Sequence, residues 1–293
     1  MINKGLSRLG TYFLYIVSLL PFRALYLLSD FLFVIIYYIV GYRRKVVQEN
    51  LRNSFPEKTD HERRVIERKF FLHLTDLIVE SIKMLTVTQK QLLKRYTSPN
   101  SADAVKYLDQ GRGVLIAIGH YGNWEMANLR TSFETDYPLY VVYKPLTNQV
   151  FDKFFFDMRS RFGAKLIAMR NVLRTMVKVK NTPVISVFVA DQTPVRSESN
   201  YYTEFLNQQT AFFLGIEKMA KLTNSVVFFC DIHRQKRGYC RFDFIEVAEH
   251  PNETADYEIT EKYVRLLENT IRRNPPYWLW SHRRWKFKPE DKQ

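Results

Sequence analysis

Short apolar runs, bounded by glycine, proline or polar residues, recur along the second half of the chain. They are rich in β-branched residues, a pattern typical of buried strands. Stretches with apolar residues at helical spacing separate them, so strand and helix alternate. The alternation predicts an α/β domain with a mostly parallel sheet flanked by helices, in which functional groups gather at the carboxyl ends of strands. The predicted strands are residues 114–118, 139–143, 182–190 and 225–230.

The beginning of the chain differs, because residues 9–42 are mostly apolar and aromatic with few polar interruptions. Within them, residues 24–42 are long enough to cross a bilayer of about 30 Å, although Asp30 would be costly at its centre. A single span, a hairpin and a pair of interfacial helices all fit this pattern, as does a pair of apolar helices packed on the domain itself. If the segment spans a membrane, the basic cluster at 43–45 would hold the rest of the chain on the cytoplasmic side.

Length and charge limit the organisation further. At 293 residues and 46% hydrophobic content the chain can bury one substantial core, and no flexible linker divides its second half. We therefore expect N-terminal membrane-anchor helices over 1–45 and one catalytic domain over 46–293. A net charge of +14 favours anionic partners such as phospholipid headgroups, phosphorylated glycolipids or acidic carrier proteins. Nucleic acid is disfavoured because no motif for binding it accompanies the charge.

Cys230 and Cys240 flank a predicted hairpin with its turn near 236–238, so their thiols could face each other across the strands. Two cysteines make no disulfide framework in a chain of this size, and neither has the spacing of a zinc ligand. We expect both thiols to be reduced.

Two further segments allow less specific predictions. A long helix over 60–82 is predicted to be capped by Asp60, with His61 and His73 as ordinary surface or packed histidines. The C-terminal segment 274–288 mixes three tryptophans with basic residues. This mixture suits a membrane interface or an anionic glycolipid, but tryptophans packed under the domain would give the same pattern.

The strongest chemical signal follows the predicted strand 114–118. His120 comes directly after Gly119, and a helix that starts near Asn123, which can cap it, would place Glu125 in its first turn. A carboxylate there can fold back to one imidazole nitrogen and leave the other to take a proton, which makes His120 a candidate general base. A histidine beside a glutamate is also a common structural pair. Direct acyl transfer from a thioester to an alcohol needs such a base and no covalent serine or cysteine.

Two more charged residues become candidates by their position. Asp191 follows the third predicted strand as His120 follows the first, and Arg159 lies in a helix between them. Taken alone, Asp191 could cap a helix or form a buried salt bridge, and Arg159 could be a surface cation. Near His120 they could position each other and an acyl carbonyl, or hold a phosphate. Only the fold decides whether they lie that close.

Five segments, in order, resemble the bacterial late acyltransferases of lipid A biosynthesis, which belong to the lysophospholipid acyltransferase-like superfamily. The histidine segment Gly-His-Tyr-Gly-Asn-Trp-Glu is specific, whereas an Asp-Gln pair alone is a weak signal. The resemblance extends from the apolar N-terminus nearly to the end of the chain. The matching segments are residues 44–57, 119–125, 142–145, 189–192 and 278–285.

The resemblance implies a glycerolipid acyltransferase-like fold and a membrane-bound O-acyltransferase at the cytoplasmic face of the bacterial inner membrane. Such an enzyme takes a fatty acyl chain from acyl carrier protein, uses no cofactor, and esterifies a hydroxyl of a lipid A precursor. A lysophospholipid or an amino-acid lipid is an alternative acceptor, although the Pro-Glu-Gly-Thr motif usual in glycerolipid enzymes is absent. A non-catalytic protein that binds anionic membranes is an alternative of another class.

The same resemblance assigns roles to individual residues. It makes His120 the general base and Glu125 its orienting partner, and it puts the family's arginine on Arg159 and its acidic residue on Asp191. A small shift of the alignment would exchange the role of Arg159 with a neighbouring arginine, and a lysine stands where an arginine before the proline is common. Further candidates for substrate binding or oxyanion support are Asn123, Gly122, Arg161, Arg170, Lys144 and Gln192.

Overall fold

The structure, a computed structural model, describes residues 4–196, 199 and 201–287 of the chain. Its strands are β1 (Tyr96–Thr97), β2 (Val114–Ile118), β3 (Leu139–Tyr143), β4 (Lys165–Ala168), β5 (Ile185–Val189), β6 (Tyr201–Phe205), β7 (Gln208–Phe212), β8 (Val226–Lys236) and β9 (Tyr239–Ala248). Seven of them form a central sheet in the order β1-β9-β8-β2-β5-β3-β4, while β6 and β7 form a separate antiparallel hairpin.

All neighbours in the central sheet are parallel except β8 and β9. The predicted α/β fold with a mostly parallel sheet is therefore confirmed, and the four predicted strands correspond to β2, β3, β5 and β8. β2 is central and all five of its residues are buried, as expected for a parallel strand covered on both faces. Because β2, β3, β4, β5 and β8 run the same way, their carboxyl ends meet at one edge of the sheet, which we call the carboxyl edge.

The helices surround this sheet. α4 packs against α1, α2 and α3, and α11 packs against β8 and β9. The α-helices are α1 (Lys4–Leu19), α2 (Phe22–Phe33), α3 (Arg44–Ser54), α4 (Asp60–Lys83), α5 (Gln89–Arg95), α6 (Ala102–Asp109), α7 (Trp124–Thr131), α8 (Gln149–Arg159), α9 (Val172–Lys178), α10 (Gly215–Thr223) and α11 (Glu258–Arg273).

The N-cap of α4 lies one residue earlier than the sequence predicts. Its cap is Thr59, whose hydroxyl accepts from the backbone of Glu62 while the Glu62 carboxylate accepts from the backbone of Thr59. This reciprocal capping box satisfies two free backbone donors at once. Asp60, the predicted cap, is instead the first residue of the helix.

α2 continues into a π-helical segment, Val34–Val40. Among the described residues, Phe22–Val40 is the one helix long and apolar enough to cross a membrane. One face of α2 packs on α4, and Asp30 forms an ion pair of 2.6 Å with Arg237, which reduces the cost that its charge would otherwise carry. The exposed large apolar side chains of this helix are Leu27, Phe31, Val34, Tyr38, Ile39 and Val40.

The hairpin predicted around the two cysteines is present as β8 and β9, but the thiols do not face each other. Cys230 pairs with Phe244 and Cys240 pairs with Arg234, so the cysteines are offset along the ladder. Both are free and buried, and burial raises the pKa of the Cys240 thiol to about 12. Two buried thiols of this kind are unreactive.

The C-terminal tryptophans pack inside the protein. Trp278 and Trp280 are 2% and 0% exposed, and their rings meet edge to face with centroids 4.8 Å apart. The packed alternative is therefore correct for these two residues, and the membrane-interface interpretation is wrong for them. The ends of the predicted segments, residues 1–3 and 288–293, lie outside the described residues.

Candidate active site

The loop after β2 carries His120 and is shaped by two glycines. Gly119 approaches α11 so closely that a Cβ atom would lie 2.5 Å from Cδ1 of Leu267. Gly122 has a φ of +57°, and a Cβ atom there would lie 2.7 Å from Cγ2 of Ile232. A side chain at either position would displace its neighbour. The two glycines therefore let the chain turn out of the sheet and leave His120 half-buried at the carboxyl edge.

The imidazole of His120 is held by Asp191, which follows β5, the strand beside β2. Nδ1 lies 2.5 Å from Oδ1 of Asp191, and the backbone amide of His120 donates to Oδ2 at 2.8 Å. Because an ionised carboxylate only accepts, we assign the ring proton to Nδ1, which leaves the lone pair on Nε2. Nε2 lies 3.0 Å from the amide nitrogen of the exposed Gln192. This is the tautomer that a general base requires.

Asp191 remains ionised although it is 2% exposed. Burial by itself raises the pKa of a carboxyl group. Here the electrostatic interaction with His120 and its two hydrogen bonds, together with the indole Nε1 of Trp278 donating at 2.7 Å, outweigh burial and lower the pKa of Asp191 to about 2. The carboxylate is therefore a permanent negative charge beneath the imidazole at any ordinary pH.

The C-terminal segment holds both loops of the site. The amide of Gly122 donates to the carbonyl of Tyr277 at 2.9 Å, and the amide of Leu279 donates to the carbonyl of His120 at 3.1 Å. The amide of Thr193 donates to Nε2 of His282 at 3.2 Å, and burial lowers the pKa of His282 to about 4, which keeps this acceptor neutral. Residues far apart in the chain thus fix the loops that carry His120 and Asp191.

Glu125, the predicted orienting partner of His120, is bound by Arg159 instead. Nε of Arg159 lies 2.9 Å and 3.2 Å from the two carboxylate oxygens, and its Nη2 also donates to Oε1. Although burial disfavours the charge of Arg159, pairing with Glu125 raises its pKa. The predicted contact fails because Asp191 occupies Nδ1 of His120, while α8, which packs on α7, offers Glu125 a bidentate guanidinium.

Asn123 and Gly122 are engaged within the protein. Asn123 caps α7, as predicted, because its Oδ1 accepts from the amide of Met126 at 3.0 Å. Its Nδ2 donates to the carboxylate of Glu80 at 2.6 Å, and the amide of Gly122 is taken by Tyr277. These bonds leave little donor capacity at either residue for a substrate oxygen.

The remaining predicted residues differ in where they lie relative to His120. Arg161 donates to the carbonyls of Met84 and Val87 at 2.8 Å and 2.9 Å, so it anchors the end of α4. Lys144 follows β3 and Arg170 follows β4, both exposed at the carboxyl edge. Gln192 is beside Nε2 of His120.

Sequence reasoning missed two residues that shape the site. Trp278 binds Asp191 through its indole nitrogen, and Glu80 binds Asn123. Trp278 lies in a segment that carries the family resemblance. The sequence therefore marks its position, but not its contact with Asp191. Glu80 sits inside a helix with charged residues all along it, and no local signal separates it from the others.

The sequence matches the family model described as bacterial lipid A biosynthesis acyltransferase over residues 1–287. It is 24% identical over 250 residues to the lipid A biosynthesis palmitoleoyltransferase of Escherichia coli, covering 84% of this chain and 80% of that protein. It is 24% identical over 289 residues to the lipid A biosynthesis lauroyltransferase of the same organism, covering 97% and 92%. A lipid A biosynthesis acyltransferase of Haemophilus influenzae is 24% identical over 220 residues, covering 75% and 68%.

Proposed function

The chain belongs to the bacterial lipid A biosynthesis acyltransferase family, and from this premise we propose that it moves a fatty acyl chain from acyl carrier protein to a hydroxyl of a lipid A precursor. One observation on the residues of this chain supports the proposal. The imidazole of His120 is oriented through Nδ1 by an ionised, buried carboxylate, and its Nε2 is turned toward the exposed Gln192. A general base is the group that direct acyl transfer to an alcohol needs.

In the proposed reaction, the acceptor hydroxyl takes the place of the Gln192 amide beside Nε2 of His120. Its oxygen attacks the thioester carbonyl carbon as Nε2 removes its proton. Asp191 stabilises the imidazolium that forms. The carbon–sulfur bond then breaks, and the departing thiolate takes the proton back from Nε2. The ester and the free thiol are the two products, and His120 returns to its starting state.

Side chains supply the oxyanion contacts in this proposal. The amides of His120 and Gly122 are already used by Asp191 and Tyr277. Gln192 carries an exposed amide beside the reacting nitrogen. Nε and Nη2 of Arg159 donate to Glu125, and the guanidinium adds a positive charge near the start of α7. A donor of this kind aimed at the developing charge is worth on the order of 3 kcal/mol.

A membrane location is supported by exposed apolar residues around the site. The loops after β3, β4 and β5 expose Leu146, Met169 and Val195 at the carboxyl edge where His120 lies. α1 adjoins this edge, since Asn148 donates to Ser7 at 3.1 Å. The outward faces of α1 and of Phe22–Val40 are also apolar. We propose that these surfaces seat the enzyme on the cytoplasmic side of the bacterial inner membrane, with Phe22–Val40 as its anchor.

The charge of the chain supports the proposed donor and acceptor. A net charge of +14 attracts both an acidic carrier protein and the phosphates of a lipid A precursor. Lys144 and Arg170 stand exposed at the edge that such partners would approach.

The test incubates membranes carrying the wild-type protein with acyl carrier protein charged with mixed acyl chains and with a tetra-acylated lipid A precursor. Mass spectrometry should find a gain of one acyl group, absent with His120→Ala. His61→Ala is the matched control, since His61 is an exposed histidine of α4, and it should behave as wild type.

Parallel reactions replace the acylated carrier protein with acyl-coenzyme A as donor, or the lipid A precursor with a lysophospholipid or an amino-acid lipid as acceptor. Product formed only with another acceptor would overturn the proposed substrate. Wild-type product from His120→Ala would overturn the proposed mechanism.

A further inference from the structure

A buried carboxylate lies directly behind the His120 loop and takes no part in the proposed reaction. Glu80 of α4 is 5% exposed. Its Oε1 accepts from the hydroxyl of Tyr26 at 2.7 Å, and its Oε2 accepts from Nδ2 of Asn123 at 2.6 Å. The hydroxyl of Tyr96 lies 3.5 Å from Oε2. One carboxylate thus joins α2, α4 and the loop of the site.

Glu80 decides which way the Asn123 amide points. Oε2 of Glu80 accepts from Nδ2 of Asn123, so the amide oxygen Oδ1 faces the other way. Oδ1 then accepts from the amide of Met126 and begins α7. Because His120 lies three residues before Asn123 and Glu125 lies two after it, the orientation of this amide sets the backbone between the two side chains.

Keeping the Glu80 carboxylate ionised at this buried position costs free energy. Burial raises the pKa of Glu80, and the neighbouring Asp76 raises it further, while the hydrogen bonds from Tyr26 and Asn123 oppose both effects. A buried charge that serves stability alone is often replaceable by apolar groups of similar volume. Its cost and its partners favour a role in holding a geometry.

The hydrogen bond from Tyr26 extends this link to the proposed membrane anchor. Tyr26 belongs to α2, within the apolar helix Phe22–Val40. The same face of α2 carries Ser29, which donates to Asp76 at 2.8 Å. Both hydrogen bonds end on carboxylates of α4. The position of α2 is therefore coupled to Glu80 through a tyrosine hydroxyl, and through Glu80 to Asn123.

We propose that Glu80 is a positioning residue for the acyl transfer. It seats the loop from His120 to Glu125 through Asn123, and Tyr26 makes that seating depend on the anchor helix. This inference rests on the proposed function for its kinetic readout. A second readout, the reactivity of His120 itself, does not depend on the identity of the substrates.

The decisive variant is Glu80→Ala, which leaves the Asn123 amide without its buried acceptor. We expect kcat to fall at least tenfold while KM for donor and acceptor stays within about twofold, because the loop loses its geometry and the binding surfaces do not change. Glu80→Gln should recover most of the activity, since its amide oxygen can still accept from Asn123. Tyr26→Phe keeps Glu80 and should lower kcat several-fold, which also covers the case that Glu80→Ala does not fold.

The chain offers a matched control in Glu217 of α10. This carboxylate is 6% exposed and accepts from the amides of Tyr257 and Thr260 and from the Thr260 hydroxyl. It therefore has a burial and a number of donors similar to those of Glu80, but it caps α11 instead of the His120 loop. Glu217→Ala should lower the melting temperature and leave kcat unchanged.

The second readout is the rate at which diethyl pyrocarbonate modifies His120, followed by peptide mass spectrometry. Glu80→Ala should change this rate at least threefold relative to wild type, and Glu217→Ala should not. If the wild type makes no acylated product, the proposed function fails, and the modification rates still test the role of Glu80. Unchanged kcat and unchanged His120 reactivity in Glu80→Ala, or an equal loss of kcat in Glu217→Ala, would overturn the inference.

Discussion

Two acid–base pairs stand at the carboxyl edge, and they are built differently. His120 and Asp191 come from loops that are 71 positions apart, and their carboxylate is 2% exposed and held by Trp278. Glu125 and Arg159 come from two packed helices, and both side chains remain partly accessible, at 13% and 26%. In the first pair, which we call the sealed pair, the carboxylate is closed off from solvent and only the imidazole is accessible, at 16%. In the second, which we call the open pair, both charged groups are accessible. Nearness in sequence to His120 does not make Glu125 its partner.

The largest expected effect comes from breaking the sealed pair. Asp191→Asn replaces the acceptor of Nδ1 by an amide that favours the wrong ring tautomer, so we expect kcat to fall on the order of a thousandfold. Initial rates of product formation by mass spectrometry measure this change. Near-wild-type activity of Asp191→Asn would remove the distinction between the two pairs.

The sealed pair also makes a prediction for acid stability. The pKa of Asp191 in the folded protein, about 2, lies below its ordinary value of 3.8, so its ionised form favours folding. The contribution, on the order of 2 kcal/mol, is complete above about pH 4 and is lost as the pH falls through about 2. Denaturant unfolding of wild type and Asp191→Asn in detergent should give a difference that shrinks between pH 6 and pH 2. A difference independent of pH would contradict the assigned ionisation.

A smaller effect is expected from the open pair. Glu125→Gln keeps an acceptor for Arg159 but removes the charge that holds the guanidinium, so we expect kcat to fall about tenfold, far less than in Asp191→Asn. Arg159→Lys, which keeps the charge but loses the fork, should give a loss of similar size. Equal losses in Glu125→Gln and Asp191→Asn would restore Glu125 as the orienting partner that the sequence predicts.

The smallest effect concerns the indole that supports Asp191. Trp278→Phe removes one donor and leaves the two contacts from His120, so we expect kcat to fall about threefold. Trp280→Phe is its control, because Trp280 is equally buried but its indole donates to the carbonyl of Pro275. Melting temperatures should fall in both variants, while only Trp278→Phe should lose activity. A similar loss of activity in Trp280→Phe would mean that packing alone is responsible.

The strands that sequence patterns predicted share a continuous apolar run, and β2, β5 and the first half of β8 are buried along most of it. β2, β3, β5 and β8 contain runs of apolar residues, because parallel strands covered by helices cannot expose a face. β4 is short and lies at the edge of the sheet. β6 and β7 contain Tyr, Thr, Glu and Gln and pair with each other outside the sheet. These strands lack the continuous apolar run of the others, so their pairing hydrogen bonds, and not their hydropathy, reveal them.

The residues of the site also divide into those that sequence rules located and those that only the fold located. The rule that parallel strands end at one edge put His120 and Asp191 at strand ends, where the structure has them, but only the fold showed their contact. The cap at Asn123 follows from residue type. Arg161 shows the limit, because it lies two positions from Arg159 and yet bonds to backbone carbonyls of α4 and its following turn. α8 ends at Arg159, so Arg161 lies in the turn that follows, where the chain has left the helix and the side chain reaches the end of α4 instead of α7.

By itself, the sequence determined the fold class, the four apolar strands β2, β3, β5 and β8, the position of His120 at a strand end and the apolar character of Phe22–Val40, because each depends on local composition and periodicity. Only the tertiary structure decided that Asp191 holds His120, that Arg159 holds Glu125, that Trp278 closes over the carboxylate and that Glu80 lies behind the loop. Those contacts join segments far apart in the chain. Their energies come from burial and from directional hydrogen bonds between specific atoms, which exist only once the elements have packed.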